Sequence, residues 1–119
     1  LIEIKWLGKS LTANSDGTRF TSYTDVRVQE GADQLVDYMD RELSSDPTTE
    51  LRGYLVVFDG RRANVKCADT QLSEKDATHY RDKEPNVTRN YSTERTDFAP
   101  IVRYFLEPRT SSFTAPNVD

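Results

Sequence analysis

Residues 53–60, GYLVVFDG, place the strongest constraint on how this chain can fold. Tyr54, Val56 and Phe58 occupy one alternation of an extended segment, and Leu55 and Val57 occupy the other. A strand on a half-wetted antiparallel sheet alternates apolar with polar. A run that is apolar on both sides predicts a strand buried on both faces, in a parallel or mixed sheet with a layer on each side. Parallel neighbours in such a sheet need a crossover of a dozen or more residues, usually a helix.

The segment before it fits that crossover. Ala32, Leu35, Val36, Met39 and Leu43 fall at helical intervals and form one stripe, while Asp33, Asp37 and Asp40 face away. The spacing predicts a helix over residues 32–43, starting at Gly31 with acids near its N-terminus and stopping in Ser44-Ser45-Asp46-Pro47. Further back, Ile2, Ile4 and Trp6 alternate with Glu3, Lys5 and Leu7, so residues 1–7 read as a strand with an apolar packing face and a polar face. Strand, helix and strand make a βαβ unit with a right-handed crossover, residues 1–7 lying parallel to residues 53–59.

The rest is less regular. Ala13–Gly17 is rich in turn residues, and Arg19–Val28 then offers β-branched and aromatic side chains for a hairpin partner. Residues 60–99 are polar and aperiodic and read mostly as loop, with a short strand near Val87–Tyr91. Residues 101–106 read as a last strand between Pro100 and Pro108, since proline cannot donate to a ladder. The expectation is an α/β domain over residues 1–108 built on a mixed sheet, with a flexible tail over residues 109–119.

Composition narrows what this domain can do. The hydrophobic fraction is 35% and the charged fraction 30%, against roughly 45–50% and about 25% in ordinary globular domains. The core is thin, and with Leu1 opening directly on a strand the 119 residues read as a fragment of a larger domain. A net charge of -4 argues against wholesale wrapping of nucleic acid. Arg61, Arg62 and Lys66 could grip a phosphate backbone, although a solvated loop is the plainer reading. The single Cys67 rules out an internal disulfide framework and fits a packing residue in a reducing compartment. His79 is the only histidine, so a multi-histidine metal site is excluded and an exposed ring expected. No apolar run approaches the ~18 residues that span a bilayer. The chain reads as soluble and cytoplasmic.

Chemistry concentrates at the first strand. Residues two apart on a strand project from one face roughly 6–7 Å apart, so Glu3 and Lys5 share a space. A carboxylate there can bind a hard divalent cation through oxygen, and an ammonium beside it can hold an attacking water or steady charge on a phosphate. Taken alone the triplet is equally a surface ion pair, which is worth little. Gln34 and Tyr38, at i and i+4, are neighbours on the helix that follows. Alone they read as an exposed glutamine and a half-buried tyrosine.

Taken in order, Glu3-Ile4-Lys5, Gln34-x-x-x-Tyr38 and Gly53-Tyr54-Leu55-Val56-Val57-Phe58-Asp59 resemble the C-terminal half of a PD-(D/E)xK nuclease-like domain. Within that superfamily they are most similar to RecB-like nuclease domains and to those attached to AAA-ATPase-like proteins, and the likeness covers residues 1–60. The resemblance implies a partial restriction-endonuclease-like core and a Mg²⁺- or Mn²⁺-dependent deoxyribonuclease. Glu3 would ligate the metal through its carboxylate and Ile4 through its backbone carbonyl. Lys5 would orient water or stabilise the transition state, and Gln34 and Tyr38 would contact DNA or brace the site. The family places another aspartate on the strand preceding the acid-x-lysine strand. Asp16, Asp25 and Asp46 do not stand there, so the first catalytic aspartate is expected outside this chain, which alone would be inactive. The alternative is a non-catalytic nuclease-like binding or assembly module that docks an ATPase or another subunit, or self-associates.

Overall fold

The computed structural model describes residues 1–11, 20–66 and 71–109, apart from the side chains of Leu11 and Phe20. In chain order these form β1 (Ile2–Leu11), β2 (Phe20–Tyr23), α1 (Asp25–Ser45), β3 (Tyr54–Asp59), the short α2 (Glu74–Ala77), a 3-10 turn at Tyr91–Thr93 and β4 (Val102–Phe105). The strands make one mixed sheet in the order β2-β1-β3-β4. β1 runs parallel to β3, with Glu3 opposite Leu55 and Lys5 opposite Val57, and β3 runs parallel to β4. β2 pairs antiparallel with the far end of β1, over Gly8–Leu11. The expected α/β class and the parallel pairing of the first strand with residues 53–59 are both present.

β1 changes partners at Gly8, whose φ of 145° is one that L side chains rarely adopt. An added Cβ there would lie 2.7 Å from the Trp6 ring and 3.1 Å from the Gly60 carbonyl oxygen.

α1 begins at Asp25, well before the Gly31 start that the apolar spacing suggests, and it takes over the second half of the expected Arg19–Val28 strand. The buried stripe is Val28, Gly31, Ala32, Leu35 and Met39, so the helical period extends one turn further back. Asp25 in the first turn suits the positive end of the helix dipole. Gln29 donates to Asp33 at 3.0 Å, which stabilises the added turn. The turn expected at Ala13–Gly17, Cys67 and the tail beyond residue 109 lie outside the described residues. No strand forms at Val87–Tyr91. That segment instead packs on α1, where the Tyr91 hydroxyl donates to Asp33 at 2.6 Å and the Arg89 N–H to Gln29 at 3.0 Å.

A larger correction concerns the faces of the sheet. Leu7, Leu55 and Val57 are fully buried beneath α1 and join Val28, Ala32, Leu35, Met39, Tyr91 and Phe98 in one cluster. The opposite face is open. Ile2 is 67% exposed, Ile4 60% and Trp6 38%, so these three do not form the packing face expected of them. β3 is likewise buried on one face only, with Tyr54 39% exposed. The inward face of β1 is the one that carries Glu3, Lys5 and Leu7.

That inward layer ends in a buried carboxylate. Asp59 is 0% exposed. Arg61 donates to it through Nη2 at 2.7 Å, Nε at 2.9 Å and its backbone N–H at 3.1 Å, and Arg103 through Nε at 2.8 Å. The same guanidinium groups donate to the carbonyls of Lys83, Arg81 and Tyr80, tying the 80–84 segment to the sheet. Burial pushes the Asp59 carboxyl up, but the Arg61 and Arg103 hydrogen bonds outweigh it and hold the group below the usual carboxylate range. A depressed native pKa means stability that is complete above the unfolded value and lost as pH falls through the native one. Thermal unfolding should therefore show stability declining as pH drops below ~4. Asp59→Ala, which leaves two guanidinium groups facing an empty site, should cost roughly 3–5 kcal/mol by urea denaturation.

Candidate functional site

Parallel pairing with β3 turns Glu3 and Lys5 toward α1, where the helix approaches unusually closely. A Cβ on Gly31 would lie 2.8 Å from Lys5 Cγ and 3.1 Å from Leu55 Cδ1, so the missing side chain is what lets α1 rest on the lysine stem. The stem is thereby buried, and the ammonium reaches out to Glu3 Oε1 at 3.1 Å. The Lys5 side chain is 9% exposed and that of Glu3 32%, so the pair lies at the boundary between core and solvent.

The close approach also brings the next turns of α1 to Glu3. A cleft of about 310 Å³ is lined by Leu1, Ile2, Glu3, Gln34, Leu35 and Tyr38. Glu3, Gln34 and Tyr38 thus share one cavity, and Lys5 joins them through its ion pair with Glu3. Gln34 and Tyr38 are both exposed, Tyr38 more than its expected position bordering the stripe suggests.

The backbone of Ile4 faces a different way from its neighbours. The carbonyls of Leu1 and Leu7 accept from the N–H groups of Tyr54 and Gly60 on the β3 side, both at 2.8 Å. Alternate residues of a parallel strand bond to the same neighbour, so Ile2, Ile4 and Trp6 turn their N–H and C=O to the other edge. There β2 pairs only with Gly8–Leu11, and no described strand covers residues 2–6. The Ile4 carbonyl stands on that edge, which no described strand covers, next in the chain to the Glu3 carboxylate.

One carboxylate and one backbone carbonyl are oxygen donors of the kind that suits Mg²⁺ or Mn²⁺. They are a partial set: among the described residues no group of three His, Cys, Asp or Glu side chains is placed to hold a metal. Mg²⁺ commonly keeps several waters and needs few protein ligands, so the two donors fit part of a site.

The basic residues after β3 are more committed than a solvated loop implies. Arg61 is spent on Asp59, and Arg62 donates to the carbonyls of Arg61 and Leu106. His79 is exposed, with Nε2 2.7 Å from Lys83 Nζ. No helix among the described residues is long and apolar enough to cross a membrane.

Two contributors escape a reading of the sequence, Gly31 and Asp59. Gly31 looks like a helix start because glycine is unfavourable inside helices, and its role is visible only once Lys5 lies beneath it. Asp59 leaves a signal, since it is the sole polar residue on the alternation Leu55, Val57, Asp59.

If Lys5 is retained for chemistry, stability should not depend on its charge. Lys5→Met keeps the buried stem and should change unfolding free energy by less than ~1 kcal/mol, whereas Glu3→Gln strands a mostly buried ammonium and should cost about 1–2 kcal/mol. Urea denaturation of the two variants checks both values. Comparison with protein-family models, curated proteins and solved structures finds no match for this chain.

Proposed function

We propose that β1 and α1 carry the acid-and-lysine half of a metal-dependent nuclease site on a partial restriction-endonuclease-like core, acting on DNA phosphodiesters. The observation that carries the reading is the Glu3–Lys5 pair at 3.1 Å, opening on a cleft that Gln34 and Tyr38 also line. Glu3 would hold Mg²⁺ or Mn²⁺ through its carboxylate and Ile4 through its carbonyl. Such an ion, when bound, supplies Lewis acidity toward a phosphate oxygen and lowers the pKa of a coordinated water.

The chain's own groups have separable tasks. The Lys5 ammonium, held almost out of solvent, orients a water and offsets charge that develops on the phosphate. Gln34 and Tyr38 offer an amide and a hydroxyl from an exposed helix face, suited to hydrogen bonds with a phosphodiester backbone. The edge of β1 that no described strand covers supports a further step. A strand added along residues 2–6 would lie beside Glu3, and an acid on it would complete the ligand set. That acid is the aspartate expected outside this chain.

A second reading, a non-catalytic nuclease-like assembly module docking an ATPase or other subunit in the cytoplasm, draws support from the open apolar sheet face. Plasmid nicking with Mn²⁺ by the protein at its full natural length separates the two. The nuclease reading expects Glu3→Ala and Lys5→Ala each to lower the nicking rate by about 100-fold or more without loss of fold by circular dichroism. Equal rates for parent and Glu3→Ala would remove Glu3 from the chemistry, and no nicking by the parent would favour the assembly module.

A further inference from the structure

The face of the sheet turned away from α1 is built in rows. The register sets Ile2 beside Tyr54, then Ile4, Val56 and Val102 across three strands, then Trp6, Phe58 and Tyr104. Leu106 prolongs β4, its N–H donating to the Asp59 carbonyl at 2.8 Å. No charged side chain occupies any of these positions, in a chain that is 30% charged. Charges stand at the margin, where the Arg52 guanidinium lies 5.7 Å from the centre of the Tyr54 ring and Arg62 donates to the Leu106 carbonyl.

The exposure is large. Ile2 is 67% exposed, Ile4 60% and Tyr104 55%, with Trp6, Tyr54, Val102 and Leu106 between 37% and 39%. With aromatic side chains offering roughly 150–250 Å² each and aliphatic ones somewhat less, these fractions leave on the order of 550 Å² of apolar surface. That is at the upper end of the roughly 300–600 Å² of the largest patch on an ordinary monomer. It is about two thirds of the ~800 Å² that each partner contributes to a standard interface.

We infer that this face seats a second copy of the chain, sheet against sheet. Each copy carries a net charge of -4, and a face with no charge lets identical copies meet without opposing like charges. The rows are also self-complementary. A two-fold axis lying across the strands sets Ile4, Val56 and Val102 over their own equivalents, and it places the Trp6–Phe58–Tyr104 row over the sparser Ile2–Tyr54 row of the other copy. Sheet faces pack in this manner about 10 Å apart, and the contact is isologous, so it closes at a dimer. Parallel strands are almost always covered on both faces; α1 covers one side of β1 and β3, and the second copy covers the other.

Sedimentation equilibrium tests the inference. The parent chain should show a reversible monomer–dimer equilibrium, and Ile4→Lys and Tyr104→Lys should each weaken it by about 100-fold or more, because each buries an unpaired ammonium. Both positions face solvent in the monomer, so circular dichroism and the unfolding midpoint measured on monomer should be unchanged. Val26→Lys, at a 65% exposed position on α1, should leave the dimer intact. A parent that stays monomeric to ~200 μM would overturn the inference. So would a dimer indifferent to both substitutions, open-ended aggregates, or a monomer whose apolar face is covered only on adding an unrelated helical protein. Val102→Lys provides the same test on the third strand should Ile4→Lys fail to fold.

Discussion

The phase of the β1–β3 pairing governs everything else in this molecule. Parallel register puts Glu3, Lys5 and Leu7 on the same side as Leu55, Val57 and Asp59, and α1 lies over that side. Side chains alternate with a period of two, so a slip of one residue would send the whole set to the other face. The chosen phase buries two charges, Lys5 at 8% exposure and Asp59 at 0%, while leaving Ile2 and Ile4 in solvent. A hydrophobic core alone would have preferred the reverse.

The two buried charges are stabilised differently. Asp59 accepts four hydrogen bonds from Arg61 and Arg103, and the same guanidinium groups also donate to the carbonyls of Lys83, Arg81 and Tyr80 and to the carboxylates of Asp25 and Glu84, so the network ties several segments to the sheet and its role is structural. Lys5 has an apolar stem under Gly31 and a single carboxylate partner that is one-third exposed. A buried ion pair commonly does no better for stability than apolar groups of the same volume. A lysine placed under a helix and aimed at a half-open acid therefore has a poor structural rationale, which is consistent with the role proposed for it.

How much of this could be read from the sequence follows from which signals are local. The helical stripe through Leu35 and Met39 and the strand at residues 54–59 are local patterns, and both elements form. The Glu3-x-Lys5 and Gln34-x-x-x-Tyr38 spacings are local as well, and three of the four residues they name, Glu3, Gln34 and Tyr38, meet in the cleft because α1 runs back along β1. The choice of face was not legible. GYLVVFDG is apolar on both alternations, so it offers no preference, and β1 presents three apolar residues on the side that the structure leaves open. The decision rests on contacts distant in sequence: Gly31 on Lys5, and Arg103 on Asp59. The polar segment over residues 60–99 carried still less information, because its described residues 80–91 are placed by hydrogen bonds to α1 and to Arg61 and Arg103 rather than by any period of their own.

The two faces of the sheet divide the labour of the domain. The cleft opens between β1 and α1, on the inward side, whereas the apolar rows lie on the outward side of the same strands. Covering the outward face leaves uncovered the cleft and the edge of β1 at residues 2–6, with which no described strand pairs. It would also stiffen the strand that carries Glu3 and Lys5, since Ile2, Ile4 and Trp6 alternate with them along one backbone. A site of this kind requires its groups to be held within about 0.5 Å of a productive geometry, and a 119-residue chain with 35% hydrophobic residues has little core to spare for that purpose. In the proposed dimer, apolar contacts from a second copy supply the missing layer, so the strand that carries the proposed site is fixed from behind by association.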